Sequence, residues 1–227
     1  LIIPANSLAG GGYQIDNSLR FNSGSSDYLS RTLSSNNTSS TTMTFSYWYK
    51  SSDGAVIALS KVSTNPIWFF LSSTLYDRSA SYVTNAQIAI NADLRDRSAW
   101  YHIVMVIDST QATQSDRFKI YVNGVRQSVT ETVPISLNFS FDSIGASGNV
   151  MRINSQSIDN GGYVNYSNCY TSEYHFIDGQ ALTPTDFGEF DEDSGVWKPI
   201  AYEGTYGTNG FFLEFQDSGA LGTDSSG

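Results

Sequence analysis

The chain has 227 residues, and its 22 acidic and 12 basic side chains give a formal net charge of -10. Such a surface repels phosphate backbones, and no cluster of Lys or Arg interrupts it, so the composition excludes nucleic acids and anionic membranes as partners. The single cysteine excludes an intrachain disulfide and a cysteine-based metal site. No apolar run approaches the roughly 18 residues that span a bilayer, which excludes membrane insertion by a helix.

Residues 1–12 form a lead-in or linker, an apolar stub followed by a Gly-rich joint. We expect residues 13–216 to be one domain, and residues 217–227 to be a flexible tail or a linker to a following domain. The missing initiator Met and the Gly/Ser-rich end favour a module of a larger protein. Short runs of β-forming residues, separated by turn residues, predict the first strands at 19–21, 28–29, 43–50, 55–60, 67–71, 82 and 87–90.

A β-hairpin is the clearest local prediction. Residues 100–107 are a continuous run of β-forming residues, a polar loop follows, and residues 118–122 alternate between apolar and polar. Asn123-Gly124 supplies the pair of positive φ angles that a tight two-residue turn requires. The pattern describes a paired antiparallel sheet and contains no catalytic group.

The rest of the chain continues in short strands, predicted at 139–144, 172–177 and 211–215. One short helix is predicted near 184–190, where Thr183 could accept a hydrogen bond from the first turn and Pro184 suits the first helical position. Regular strand spacing with almost no helical periodicity predicts an all-β fold, a two-sheet antiparallel β-sandwich of the jelly-roll type.

Several segments resemble a known family. WYHIVMVID (100–108) with KIYVNGV (119–125) resembles the central signature of laminin-G-like domains in the concanavalin A-like lectin and glucanase superfamily. MTFSYWYK (43–50) and EYHFIDGQAL (173–182) resemble flanking strands of that family. Residues 17–29 and 195–211 are similar to repeats in virion-appendage proteins of marine tailed bacteriophages.

Glycan binding needs aromatic rings, on which pyranose faces stack, beside polar groups that bond the hydroxyls. Residues 159–170 form the densest such cluster. Alternating Tyr residues in a strand are also what ordinary packing produces, so both interpretations stay open. The predicted glycan-binding residues are Asn160, Tyr163, Asn165, Tyr166 and Tyr170.

Calcium is the only cofactor that the resemblance suggests, because laminin-G-like and pentraxin-like domains hold Ca²⁺ at the rim of the sandwich. Oxygen ligands could converge there from Asp108, Asp159 and Asp178. No EF-hand pattern is present, and acidic residues at strand ends often serve only to form turns.

The sequence argues against an enzyme. A retaining glycanase of this superfamily resembles Glu-x-Asp-x-x-Glu on one strand, whereas the nearest run, Glu189 to Ser194, ends in serine and reads as a loop. His102 and His175 lie in apolar strands, which favours a structural role over general-base catalysis.

The resemblance implies a virion structural or adhesion module at a virion surface or in another extracellular setting. Its partners would be other virion proteins and host-surface polysaccharide. We expect a homo-oligomer, with a trimer as one option. A purely architectural spacer is the alternative interpretation, and a glycan hydrolase is a remote third.

Overall fold

The computed structural model describes residues 12–51, 59–61, 67–69, 74–78, 84–91, 94–157, 163–164 and 166–227. Within them, two seven-stranded antiparallel sheets are joined through one shared hydrophobic core, which confirms the predicted β-sandwich. No helix in this part of the chain has the length and apolar character needed to cross a membrane.

The first sheet has the order β1-β15-β3-β8-β9-β10, and β18 also pairs with β15. It contains the longest strands and most of the residues that resemble the laminin-G-like signature. Its strands are β1 (Leu19–Phe21), β3 (Thr42–Ser51), β8 (Tyr101–Asp108), β9 (Phe118–Val122), β10 (Val125–Arg126), β15 (Cys169–Asp178) and β18 (Phe211–Leu213).

The second sheet has the order β11-β7-β6-β5-β4-β12-β2. Its strands are shorter, and neighbours in the sequence are mostly neighbours in the sheet from β4 to β7. Its strands are β2 (Leu29–Thr32), β4 (Leu59–Lys61), β5 (Ile67–Phe69), β6 (Thr74–Arg78), β7 (Thr84–Ile90), β11 (Val129–Val133) and β12 (Val150–Ile153).

Two small hairpins stand apart from the main sheets. The first pairs β13 (Gln156–Ser157) with β14 (Tyr163–Val164), and the second pairs β16 (Gly188–Phe190) with β17 (Trp197–Pro199). The one α-helical turn among the described residues, α1 (Asp142–Gly145), replaces the predicted strand at 139–144. Phe141 and Ile144 are both buried, and their spacing of three residues suits one helical turn facing the core.

The helix predicted near 184–190 is shorter than expected. A single 3-10 turn covers Pro184–Asp186, and the chain is extended again from Gly188. Thr183 caps this turn as expected and forms a capping box with Asp186, whose carboxylate accepts from the backbone N–H of Thr183 (2.7 Å) and from its hydroxyl (2.8 Å). Gly188 lies against the Trp197 indole, where a β-carbon would stand 2.5 Å from Cζ2. Hairpin packing therefore overrides the local helix signal.

The core follows the alternation of the strands. Phe45 of β3 stacks on Phe176 of β15 (ring centroids 4.8 Å apart), and Tyr47 stacks on Tyr174 (5.0 Å). In β9, Phe118 and Ile120 are fully buried in the same core, as their alternation predicts. Rings from adjacent strands thus meet inside the sandwich, and the alternate residues lie on the opposite, outer face of the first sheet.

The predicted hairpin between β9 and β10 is present. Asn123 and Gly124 have φ angles of 48° and 77°, the two positive values that a primed turn needs. The Asn123 side chain accepts from the backbone N–H of His102 (2.8 Å), which ties the turn to β8.

Candidate functional site

The outer face of the first sheet, opposite the core, is partly covered by the β16–β17 hairpin and by the chain around residues 202–206. A second hydrophobic cluster lies beneath this cover and includes Val104, Val106, Ile177 and Phe187. The outer face therefore has a buried part under the cover and an accessible part beside it. Buried polar groups lie in the covered part of the outer face, and accessible aromatic rings lie in the uncovered part.

His102 is a structural residue under this cover. Its Nδ1 accepts from the indole N–H of Trp197 (3.0 Å), and its Nε2 lies 2.8 Å from the Ser46 hydroxyl. An acceptor at Nδ1 puts the proton of the neutral ring on Nε2. Burial lowers the pKa of His102 to about 3, so the ring is neutral at physiological pH. It cannot serve as a general base poised near neutrality.

Glu173 interrupts the middle of β15. The register of β15 against β3 shifts between Ser172 and His175, and Glu173 in this bulge has a φ of 48°. Its carboxylate accepts a hydrogen bond from the Tyr13 hydroxyl, although its side chain is almost completely buried. This hydrogen bond ties the segment before β1 to the bulge.

Neighbouring groups set the protonation of this cluster. Burial is the largest effect and raises the pKa of Glu173, and the charge of Glu214 raises this pKa as well. The hydrogen bond from Tyr13 lowers it, and the result is a pKa of about 7. His175 stacks on Phe212 (4.2 Å between centroids), and burial lowers its pKa to about 3. Its Nε2 lies 3.9 Å from the Glu173 carboxylate, but a neutral imidazole makes no ion pair.

This cluster can hold a proton near neutral pH, and the sequence analysis did not identify it. The available signal was the charged residue Glu173 inside a predicted strand. Among the described residues, no group of three or more His, Cys, Asp or Glu is placed to hold a metal ion.

The aspartates predicted for calcium use their carboxylates within the fold. Asp178 accepts from the backbone N–H groups of Thr38 (2.7 Å), Asn209 (3.0 Å) and Ser39 (3.4 Å). Asp108 accepts from the N–H (3.1 Å) and hydroxyl (2.6 Å) of Thr110. The pKa of Asp108 is lowered overall. Burial alone would raise this pKa, but the hydrogen bonds from Thr110 and Gln111 have the larger combined effect.

Strand alternation also separates these two aspartates. Asp108 shares a strand face with His102 on the outer side, and Asp178 shares one with Phe176 of the core. Asp159 lies outside the described residues. Calcium binding by the three aspartates stays a prediction.

The two predicted glycan-binding residues whose side chains the structure describes, Tyr166 and Tyr170, fall on different surfaces. The rings of Tyr166 and Tyr28 lie beside each other, with centroids 6.3 Å apart. The Arg152 guanidinium lies over the Tyr28 ring, 4.2 Å from its centroid. Asn160, Asn165 and the side chain of Tyr163 lie outside the described residues. We call Tyr28, Tyr166 and Arg152 the edge cluster, since Tyr28 adjoins the edge strand β2.

Tyr170 lies elsewhere, on the accessible part of the outer face. Its ring meets that of Trp100 edge-on, with centroids 6.5 Å apart and planes inclined by 69°. Both side chains are only partly buried. The sequence pattern did not mark Trp100 as a ligand-binding residue, because a Trp at the start of a β run also fits simple packing.

The acidic run after the 3-10 turn forms a hairpin and its turn. Glu189 and Asp191 both pair with Lys198, at 3.1 and 3.3 Å. Hydrogen bonds from Ser194 and Lys198 lower the pKa of Asp191 to about 2. These carboxylates flank one lysine on a single hairpin, which is not the opposed arrangement that glycoside hydrolysis requires.

Comparison with known proteins gives a family. A laminin G family model described as concanavalin A-like lectin/glucanases superfamily matches residues 23–157. No curated protein matches the sequence at a significant level.

Solved structures with some similarity include a heptameric SAP-like pentraxin from Limulus polyphemus (15% identity, TM-score 0.46, covering 69% of this chain and 71% of that chain). Domains LG4-5 of the mouse laminin alpha1 chain give 9% identity and a TM-score of 0.48, over 87% of this chain and 48% of that one. The enzymatically active domain of tailspike protein 2 from bacteriophage CBA120 gives 12% identity and a TM-score of 0.42, covering 75% of this chain and 26% of that chain. The chain thus spans about a quarter of the tailspike.

Proposed function

The chain belongs to the concanavalin A-like lectin/glucanases superfamily, and we propose that it is a non-enzymatic module that binds saccharides on the outer face of its first sheet. The sandwich provides the rigid support, and the accessible rings of Trp100 and Tyr170 provide the contact surface.

One observation carries this proposal. Most aromatic rings of the first sheet are buried in the core or under the β16–β17 hairpin, whereas the Trp100–Tyr170 pair is partly accessible on the outer face. A pyranose has an apolar face that packs on such rings, while its hydroxyls need polar neighbours. Side chains fixed on strands also lose little conformational freedom on binding.

We place this module at a virion surface, as a host-attachment or structural part of a larger appendage. Support comes from residues 17–29 and 195–211, which resemble repeats of phage appendage proteins. Single carbohydrate sites bind weakly, and many copies in one particle or a homo-oligomer would raise the avidity. Host-surface polysaccharide and other virion proteins are the partners that this role requires.

A purely architectural role is the second candidate, and one observation favours it. Phe190 and Val196 of the β16–β17 hairpin are exposed (51% and 60%), as is Val125 (54%). They lie around the Trp197 ring, which contacts Phe190 (4.9 Å) and packs on Gly124. Exposed apolar side chains of this kind suit a contact with another virion subunit.

A glycan array with the purified chain tests the proposal, with and without calcium. We expect selective saccharide binding that Tyr170→Ala or Trp100→Ala removes. Tyr28→Ala in the edge cluster removes a ring of similar size at another accessible place and should leave binding intact. Binding that depends on Tyr28 would move the site to the edge cluster. Absence of binding to any saccharide, with the array's positive controls intact, would favour the architectural role.

A further inference from the structure

Four side chains form a row across the accessible part of the outer face. Arg20 of β1 is opposite Tyr170 of β15, and Tyr170 is opposite Lys50 of β3. Trp100 lies one residue beyond the last registered pair of β3 and β8, Tyr49 and Tyr101, and therefore next to Lys50. We call Arg20, Tyr170, Lys50 and Trp100 the outer row. It crosses three strand spacings, about 14 Å.

The neighbours of these residues show that all four lie on one face. Phe21, Cys169 and Tyr49 belong to the core, and they precede or follow Arg20, Tyr170 and Lys50 in their strands. Successive side chains of a strand point to opposite faces, so the outer row lies opposite the core. The contact between the Trp100 and Tyr170 rings bridges the position of Lys50 and confirms the shared face.

The two cations of the outer row differ from three other described cations of the protein. Arg31, Arg126 and Lys198 each pair with a carboxylate within 3.3 Å. Arg20 and Lys50 form no ion pair with any other described residue, and Arg20 is exposed. Among the described residues, Asp96 is an acidic group near Lys50, and its carboxylate already accepts from the N–H and hydroxyl of Ser98.

We propose that the outer row binds an anionic saccharide, a glycan with carboxylate or sulfate groups. This inference rests on the proposed function and names the class of ligand for the same site. Tyr170 and Trp100 contact the apolar faces of successive sugar rings, while Arg20 and Lys50 pair with the acidic groups. A guanidinium suits this task because its planar N–H groups bind a carboxylate or sulfate in two places.

Charge complementarity supports this ligand over a neutral glycan. The protein as a whole carries -10, whereas the outer row brings two cations that form no ion pair with a described carboxylate next to two aromatic rings. The overall negative charge also disfavours long polyanions that lack a sugar ring to contact Trp100 and Tyr170, because repulsion from the rest of the protein opposes their attraction to the row.

Affinity electrophoresis in gels containing a polysaccharide tests the inference, with a gel without polysaccharide as reference. Polygalacturonate is compared with its neutral methyl ester to test the effect of sugar carboxylates. Dextran sulfate is compared with neutral dextran to test the effect of sulfate groups. Polyacrylate supplies carboxylates without sugar rings. We expect at least one anionic polysaccharide to bind more tightly than its neutral counterpart and than polyacrylate. The Arg20→Gln and Lys50→Gln variants should each weaken binding roughly tenfold, as the loss of a charge-assisted hydrogen bond does.

The double variant Arg20→Gln/Lys50→Gln is compared with Arg31→Gln/Arg126→Gln, which removes the same charge from other surfaces. We expect the first to lose roughly a hundredfold in affinity and the second to change it less than about twofold. Equal losses in both, or equal binding of polyacrylate, would overturn the inference by showing a general charge effect. If neutral and anionic sugars bind equally well, and Arg20→Gln/Lys50→Gln does not change that binding, the preference for anionic saccharides is overturned. The proposal of saccharide binding would remain valid in that case. No binding of any polysaccharide would overturn both proposals.

Discussion

Glu173 combines a buried carboxyl group with a left-handed backbone position in the middle of a strand. A φ of 48° is costly for a residue with a side chain, on the order of 1–2 kcal/mol. The bulge persists because it turns the carboxyl toward Tyr13, whose hydroxyl donates to it, while Tyr174 stays in the core. Local strain here fixes the segment before β1 onto the sheet.

The raised pKa of Glu173 predicts a specific pH dependence of stability. The group has a pKa of about 7 in the folded protein and about 4.5 in the unfolded chain, so the folded state binds more protons between these pH values. The protonated Glu173 carboxyl therefore contributes up to about 3 kcal/mol to the free energy of unfolding. This contribution is complete below pH 4.5 and is lost as the pH rises through 7. We expect Glu173→Gln to be more stable than the native protein at pH 8, and the difference to disappear at pH 4.5.

Urea denaturation at several pH values measures this difference. His102 and His175, with pKa values lowered to about 3, destabilise the protein as pH falls below 6.5, but they do so equally in both proteins and cancel. Glu203→Gln makes the same chemical change at an exposed position and is the control. A difference between Glu173→Gln and the native protein that is constant from pH 4.5 to 8 would show that Glu173 does not titrate as described.

Individual elements were predictable where one local signal decided them. Asn123-Gly124 gave the hairpin between β9 and β10 because few other residues accept two positive φ angles. The helix near 184–190 was too long and the strand at 139–144 was wrong, because packing decided both. A β-carbon cannot fit at Gly188 beside Trp197, and burying both Phe141 and Ile144 requires a helical turn. Such contacts come from distant parts of the chain.

The turn between β9 and β10 also supports the β16–β17 hairpin, and this predicts the effect of Gly124→Ala. A β-carbon at Gly124 would lie 2.4 Å from Cζ3 of Trp197, and the residue has a φ of 77°. Gly148 has a φ of 81° with no atom within 4 Å of its β-carbon position. Gly148→Ala should therefore cost only backbone strain, about 1–2 kcal/mol.

Gly124→Ala should cost about 1–3 kcal/mol more than Gly148→Ala, because the Trp197 ring must move as well. Urea denaturation followed by tryptophan fluorescence compares the two variants. Equal losses of stability would mean that the turn does not hold the Trp197 ring in place.

At the scale of the whole molecule, strand alternation predicted the sandwich and its core, but the grouping of site residues depended on topology. Tyr166 and Tyr170 are four residues apart in the sequence, yet one joins Tyr28 and the other joins Trp100. The outer row likewise needs the order β1-β15-β3-β8, which brings together residues 150 positions apart. A single sequence does not specify which distant strands become neighbours.

The account as a whole depends on saccharide binding at the outer row. The most direct measurement is a ¹H–¹⁵N NMR titration of the protein with an oligogalacturonate and, separately, with a sulfated dextran oligomer. We predict shifts confined to the Trp100 indole N–H and to the amides of Arg20, Lys50, Tyr170 and their neighbours. Shifts centred on Tyr28 and Tyr166 or on the β16–β17 hairpin, or no shifts with either sugar, would contradict the account.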